Sequence, residues 1–345
     1  MPVAALLELP APYALFLGDV DQLSVKTATG IAHWRPERCV AQLTLPGCSA
    51  DLGLPSLSPA AAAAAGARLV IVGAAQFGGR ISPTWVPMLQ ESLQAGMDLA
   101  AGLHERLADV PALRDEARRL GRRLFDVRQP QKGQSVIATG AKRPGMRLLT
   151  VGTDCAVGKM FTSLSIEAEL RRRGVPATFR ASGQTGILIS GSGVSIDAVV
   201  SDFVSGAAEL LSPANAGGHW DVIEGQGSLH HPAYAPVTLG LIHGSQPDAL
   251  VLCHRIELKH IDGYPDYPLP GFEEAIAANE AAARLTNRRA RVIGISVNTA
   301  AADEASARRY LSETEARLQL PCCDPVRSGV GSIVDHLLRK FPRAA

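Results

Sequence analysis

The segment Gly152-Thr153-Asp154-Cys155-Ala156-Val157-Gly158-Lys159-Met160 carries the strongest chemical signal in this 345-residue chain. It follows the apolar run Arg147–Val151 and opens a helix-forming stretch at Lys159, a context in which loop amides, a positive helix end and an ammonium converge on phosphate. Against the pattern G-x-x-x-x-G-K-[ST] it departs twice. Thr153 stands where the first Gly belongs, and Met160 replaces the hydroxyl that holds magnesium. Thr162 follows two residues later and is expected to point elsewhere. A nucleotide hydrolase or kinase needs Mg²⁺ to bridge its β- and γ-phosphates. The loop is therefore expected to hold the phosphates of a molecule that is not cleaved at phosphorus, coenzyme A being one, with no metal required. The plainer alternative is a glycine turn before an ordinary helix-starting lysine.

A second cluster, Glu224-Gly225-Gln226-Gly227-Ser228-Leu229-His230-His231-Pro232, ends the strand-like run Trp220–Ile223. If the sheet is doubly wound, this end shares an edge with the phosphate loop, and Glu224 or His230 could deprotonate a nucleophile there. Glu224, His230, His231 and Asp154 are the candidate catalytic residues; a histidine pair beside a proline is equally well a turn bonded to backbone. A third loop, Arg180-Ala181-Ser182-Gly183-Gln184-Thr185-Gly186, offers a guanidinium, hydroxyls and an amide to a polar ligand, or forms a plain Gly/Ser/Thr turn. His254 and Arg255, past the end of another strand, complete a substrate-binding set suited to carboxylates, while Glu257 and Lys259 read as solvated. In the first half, Gly78-Gly79 and Gly102-Leu103-His104 are weaker signals, and a lone His104 near a helix end reads as structural.

These residues need a sheet edge to bring them together. From Arg147 onward strands are expected at Ala177–Arg180, Asp221–Glu224, Ala249–His254 and Val292–Asn298, with helices at Lys159–Arg173, Asp197–Leu211, Phe272–Thr286, Asp303–Leu318 and Ser332–Lys340. Before it, strands at Tyr13–Leu17, Val40–Leu45 and Leu69–Gly73 alternate with an alanine run at Ala60–Ala65 and helices at Val86–Leu103 and Pro111–Gly121. The region from Val3 is assigned to the first strand, and Val127–Pro144 reads as a linker. The expectation is an α/β protein: a Rossmann-like N-terminal domain over 1–140 and a P-loop NTPase-like, doubly wound parallel sheet over 145–345.

Composition bounds the partners. Thirty-four Lys+Arg against 33 Asp+Glu gives a net charge of +1, without the global basic field of a nucleic-acid binder. Six cysteines without C-x-x-C spacing are expected to be mostly reduced and buried, which points to the cytoplasm. No stretch reaches the roughly 18 uninterrupted apolar residues of a spanning helix, so a membrane is not an expected partner. The expected ligand is a small molecule bearing carboxylates, and the expected state is a homo-oligomer.

The GTDCAVGKM loop resembles the GTD-x-x-VGK loop of dethiobiotin synthetases, and DVIEGQGS resembles their V-E-G-x-G strand end. Across nearly the whole chain, GGRISPTW, AGLHERL, FDVRQP, GTDCAVGKM, ASGQTGILISG, DAVVSDFVSGAAE and IEGQGSLHHPAY resemble a two-domain family whose characterised members are D-glutamate N-acetyltransferases of the DgcN type. The resemblance implies acetyl-CoA as donor and D-glutamate as acceptor; the leading expectation for the mechanism is direct amine attack on the thioester. A covalent route through Cys155 is ranked lower; it rests on the lowered pKa that a helix N-terminus can give a thiol. Two rivals stay open. One is an ATP- and Mg²⁺-dependent ligase or kinase with Asp154 and Glu224 holding the metal; the other is a nucleotide-binding regulatory module without turnover.

Overall fold

Parallel strands with crossover helices are what alternating buried runs and amphipathic stretches demand, because each crossover must cover a face of its sheet. The computed structural model, which describes residues 7–74, 79–129 and 133–342, has this organisation twice. The described residues divide into two compact units, one of 7–74, 79–129 and 183–198, the other of 133–182 and 199–342. The second span of the N-terminal unit departs from the contiguous division expected from the sequence.

The N-terminal unit contains β1 (Leu7–Glu8), β2 (Tyr13–Gly18), β3 (Cys39–Thr44), β4 (Leu69–Val72), β5 (Asp98–Ala101) and β6 (Leu124–Asp126). Its helices are α1 (Lys26–Trp34), α2 (Pro59–Ala64), α3 (Val86–Gln94) and α4 (Pro111–Leu120). The sheet order is β3-β2-β4-β5-β6, all parallel. The alanine run is helical, capped by Ser58, whose side chain accepts from Ala61 N. The helix expected over Val86–Leu103 is instead α3 followed by β5: Gly96, at φ +92°, ends the helical path and the next run is wholly buried. A later excursion, α6 (Gln184–Ser190) and β9 (Ser192–Gly193), joins this unit; α6 packs on α1, and β9 pairs antiparallel with β1. Gly78 and the residues before Leu7 lie outside the described residues.

The C-terminal unit holds β7 (Met146–Gly152), β8 (Ala177–Arg180), β10 (Trp220–Ile223), β11 (Ala249–Arg255), β14 (Arg291–Asn298) and β15 (Cys322–Cys323), ordered β15-β14-β11-β7-β10-β8 and parallel throughout. Helices α5 (Lys159–Arg172), α7 (Val204–Leu211), α8 (Ala235–Ser245), α9 (Phe272–Arg284), α10 (Glu304–Leu318) and α11 (Gly331–Lys340) connect them. A small hairpin, β12 (His260–Ile261) with β13 (Tyr264–Pro268), follows β11. The helix expected from Asp197 is confined to α7, with short 3-10 turns before it. On one face Leu148, Val222, Val251 and Ile293 pack with Ile166 and Leu170 of α5 and Ile333 and Leu337 of α11. The chain leaves β7 towards β8 on one side and later reaches β11 on the other, so β7 sits at the switch point where doubly wound sheets bind ligands.

Candidate active site

β7 is buried from Arg147 onward, and the loop after it turns up into α5 through Gly158 in the left-handed region (φ +98°). A Cβ at Gly158 would point into open space, so the glycine leaves the mouth of the loop clear. Lys159 opens α5 and is 7% exposed; its Nζ donates to the Asp154 carbonyl at 2.7 Å. Burial pulls its pKa below the usual lysine range, with Cys253, Cys155, Asp154 and Glu224 opposing that shift. An anion over the loop would supply the counter-charge this ammonium lacks.

The end of β10 lies beside the loop. Thr150 Oγ1 accepts from Gly225 N at 3.0 Å and lies 2.9 Å from Ser163 Oγ, tying β7, α5 and the strand end together. A Cβ on Gly225 would come within 1.8 Å of the Thr150 carbonyl oxygen, so only glycine permits this approach. Glu224 is buried; its Oε2 accepts from Ser182 N at 2.9 Å, and its carbonyl accepts from Ser182 Oγ at 2.6 Å. One cavity of about 350 Å³ is lined jointly by Lys159, Met160, Phe161, Glu224 and Gln226, with Cys155, Ala156 and Gly158 from the loop. The arrangement can bind an anion at the loop and present a carboxylate to it from the neighbouring strand.

Other residues expected at the site are placed differently. Gly152 ends β7, and Val157 is buried beneath the loop. Thr153 is buried, with Oγ1 3.1 Å from His254 Nδ1. His254 packs on Phe272 and Tyr310, and burial depresses its pKa to about 4; it is a neutral structural imidazole and leaves the substrate-binding set. Arg180 also leaves that set: its Nε donates to Asp221 at 2.7 Å, and that carboxylate is 1% exposed. Arg255 pairs with the half-exposed Glu257. Ser182 positions Glu224, whereas Gly183, Gln184 and Thr185 belong to the N-terminal unit, where they start α6.

Asp154 was expected to act in catalysis or hold metal, yet both its oxygens accept backbone N–H groups, Oδ1 from Cys155 at 2.6 Å and Oδ2 from Asp262 at 2.7 Å. Asp154 thus acts as a staple of the loop. Ligand atoms of Asp154, Cys155 and His231 lie within 4.8 Å of one another. His231 Nδ1, however, accepts from Ala233 N (3.1 Å) and Tyr234 N (3.2 Å), which leaves Nε2 as the protonated, donating nitrogen of the neutral ring. That tautomer cannot serve as a general base. His230 differs: its Nε2 is buried without a hydrogen-bond partner and its Nδ1 is 3.8 Å from Glu274 Oε1, but it does not line the cavity. The lowered thiol pKa expected for Cys155 is not found; burial pushes it up, with Asp154 and Asp262 adding to the shift. Thr162 does point elsewhere, its Oγ1 2.8 Å from Ser296 Oγ.

Sequence reasoning missed Thr150 and Ser228, whose Oγ donates to the Thr153 carbonyl at 3.1 Å, and gave Gln226 and Phe161 no role. The only signal for Gln226 was its place between the two glycines of the strand end. All six cysteines are free thiols, with Cys253, Cys322 and Cys323 buried and the other three half-buried. Among the described residues no helix is long and apolar enough to cross a membrane.

Comparison with known proteins accords with this architecture. Residues 136–334 match a domain of unknown function described as the DUF1611 P-loop domain, and residues 43–130 match its Rossmann-like N-terminal partner. A protein of Tritonibacter scottomollicae named D-glutamate N-acetyltransferase is 50% identical over 330 residues, covering 95% of this chain and 99% of that protein. A Pseudoalteromonas protein of the same name is 46% identical over 334 residues, covering 96% of this chain and all of its own length. The crystal structure of a DUF1611 family protein from Anabaena variabilis superposes with a TM-score of 0.79 at 34% identity, covering 95% of this chain and 99% of that one. A Rossmann-like unit, a P-loop unit and full-length relatives at this identity place the chain in the DUF1611 family.

Proposed function

We propose that the protein is an acetyl-CoA-dependent N-acetyltransferase acting on D-glutamate. The observation that carries the reading is the shared cavity: a phosphate loop with methionine in place of the metal-holding hydroxyl opens onto the same space as Glu224. Its nearest substitute hydroxyl, Thr162, is turned to Ser296, so the loop retains anion-binding groups without the usual residue for magnesium-assisted cleavage. Two relatives that share nearly the whole length of the chain bear the acetyltransferase name.

In this reading Lys159 and the loop amides from Ala156 to Met160 hold the diphosphate of the donor. The amine of D-glutamate attacks the thioester carbonyl carbon, and the C–S bond breaks as the tetrahedral intermediate collapses. Glu224 takes the amine's proton and returns it to the leaving thiolate, while backbone amides near Gly227 face the oxyanion. Direct attack is favoured over an acetyl-Cys155 intermediate because a thiol with a raised pKa is a poor nucleophile near neutrality. Arg255 stays a candidate for a substrate carboxylate, since its exposed pairing with Glu257 is weak. The balanced charge and free thiols support a cytoplasmic enzyme without nucleic-acid partners, and we propose a homo-oligomer.

The test is thiol release from acetyl-CoA by the purified protein with D-glutamate, in the presence of a chelator and without ATP. Release of free thiol with N-acetyl-D-glutamate formed in equal amount supports the proposal. Strict dependence on ATP and Mg²⁺ with ADP release selects the ligase or kinase reading.

A further inference from the structure

The N-terminal unit has a cavity of its own, about 290 Å³, outside the carboxyl ends of its strands. Three successive strand-end turns contribute to it: Ala74 after β4, Gly102 and His104 after β5, and Arg128 after β6. Thr27 of α1 and Gln184, Thr185 and Leu188 of α6 line the remainder. In parallel α/β sheets this edge is where ligands bind.

The lining identifies the ligand's chemistry. The turn after β2 is Gly18-Asp19-Val20-Asp21, without the G-x-G-x-x-G spacing of a dinucleotide fold, and its Asp19 carboxylate accepts from Trp85 Nε1 at 2.8 Å. A carboxylate there opposes a pyrophosphate, and the volume is at the lower limit of ordinary ligand pockets, roughly 300 Å³. A small metabolite fits better than a nucleotide. Arg128 is half-buried and makes no ion pair or side-chain hydrogen bond among the described residues, so its bidentate donor face is available. His104, Thr27, Thr185 and Gln184 add polar groups around it, and among the described residues no lining residue is an Asp or Glu. A guanidinium without a nearby acid suits a carboxylate and gives no counter-ion to an ammonium.

We infer that this cavity is a second ligand site, specific for a small carboxylic acid lacking a free ammonium, with Arg128 as its anchor. The site is separate in residues from the phosphate-loop cavity, and the inference goes beyond the acetyl-transfer reading. Titration calorimetry on the full-length protein tests it with three probes: glutarate, N-acetyl-D-glutamate and D-glutamate. The native protein is expected to bind glutarate or N-acetyl-D-glutamate more tightly than D-glutamate. Arg128→Gln is expected to weaken that binding at least tenfold, Arg128→Lys less, with coenzyme A affinity and the melting midpoint of the unliganded protein unchanged. Two results would overturn it: equal binding by Arg128→Gln and native protein, or no binding of either acid at millimolar concentration. The thiol-release assay on native protein separates the two claims. Activity with Arg128-independent binding removes this site alone, and Arg128-dependent binding without activity removes acetyl transfer alone.

Discussion

Lys159→Met isolates the role of the buried ammonium. The substitution keeps an unbranched side chain of similar length at the start of α5 while removing the donor that now lies 2.7 Å from the Asp154 carbonyl. A hydrogen bond from a charged donor to a phosphate contributes about 1.5–3 kcal/mol net. At 1.4 kcal/mol per decade this predicts a loss of roughly 10- to 150-fold in coenzyme A affinity. Folding should suffer little, because the loss of one hydrogen bond, about 1 kcal/mol, is offset by relief from burying a charge. The pH dependence supplies a second signature. Because burial lowers the pKa of Lys159, native affinity should decline with rising pH earlier than an ordinary lysine allows, and that decline should vanish in the variant. Calorimetric titration of coenzyme A across pH, paired with thermal melts, makes the measurement. Native-like affinity in a variant with an unchanged melt would refute the phosphate-loop assignment.

Glu224→Gln is expected to lower kcat by about 10²- to 10⁴-fold with coenzyme A affinity retained, read by steady-state rates and direct titration. Arg180→Ala should destabilise the protein by about 1–3 kcal/mol in urea melts, since buried Asp221 loses a charged donor but keeps the hydrogen bond from Asn215 Nδ2, while KM for D-glutamate is unaltered in the folded fraction. His254 is neutral in the fold with a pKa near 4 against 6.5 for the free group, so unfolding takes up a proton between those values. Its contribution to stability is full above pH 6.5 and falls by about 2 kcal/mol by pH 5, a decline that His254→Phe should reduce in melts at the two pH values. Initial-rate plots should intersect as for a ternary complex, and intact-mass analysis after acetyl-CoA alone should show no 42 Da adduct; parallel lines with acetylated Cys155 would overturn direct attack.

Legibility followed the range of the interactions. β7 and β10 are readable as strands that end at or just before a glycine, and α5 as the helix-forming stretch between Gly158 and Gly174, because glycine at the switch from strand to loop is a local requirement. The joint presence of Gly158-Lys159 and Glu224 followed from parallel topology alone. What the sequence could not show was which polar side chains were already engaged. Arg180 and His254 have the right chemistry for a carboxylate, but Asp221 lies 41 residues from the first and Thr153 lies 101 residues from the second. Asp154 is similar, its partner Asp262 being 108 residues away. α6 was read as loop because Gly183 and Gly186 bracket its start, and only packing against α1 explains why it joins the other unit. His104, isolated in the sequence, lines a cavity with residues distant along the chain, among them Thr27, Arg128 and Gln184, a grouping that only the fold reveals.

The central claim is that the loop before α5 carries an intact diphosphate next to Glu224. A crystal structure of the protein with coenzyme A and a chelator tests it most directly. The account predicts the diphosphate within hydrogen-bond reach of the Gly158 and Lys159 amides and Lys159 Nζ, with the thiol end directed towards Glu224. Density for the ligand elsewhere, with the loop empty at saturating coenzyme A, would contradict it.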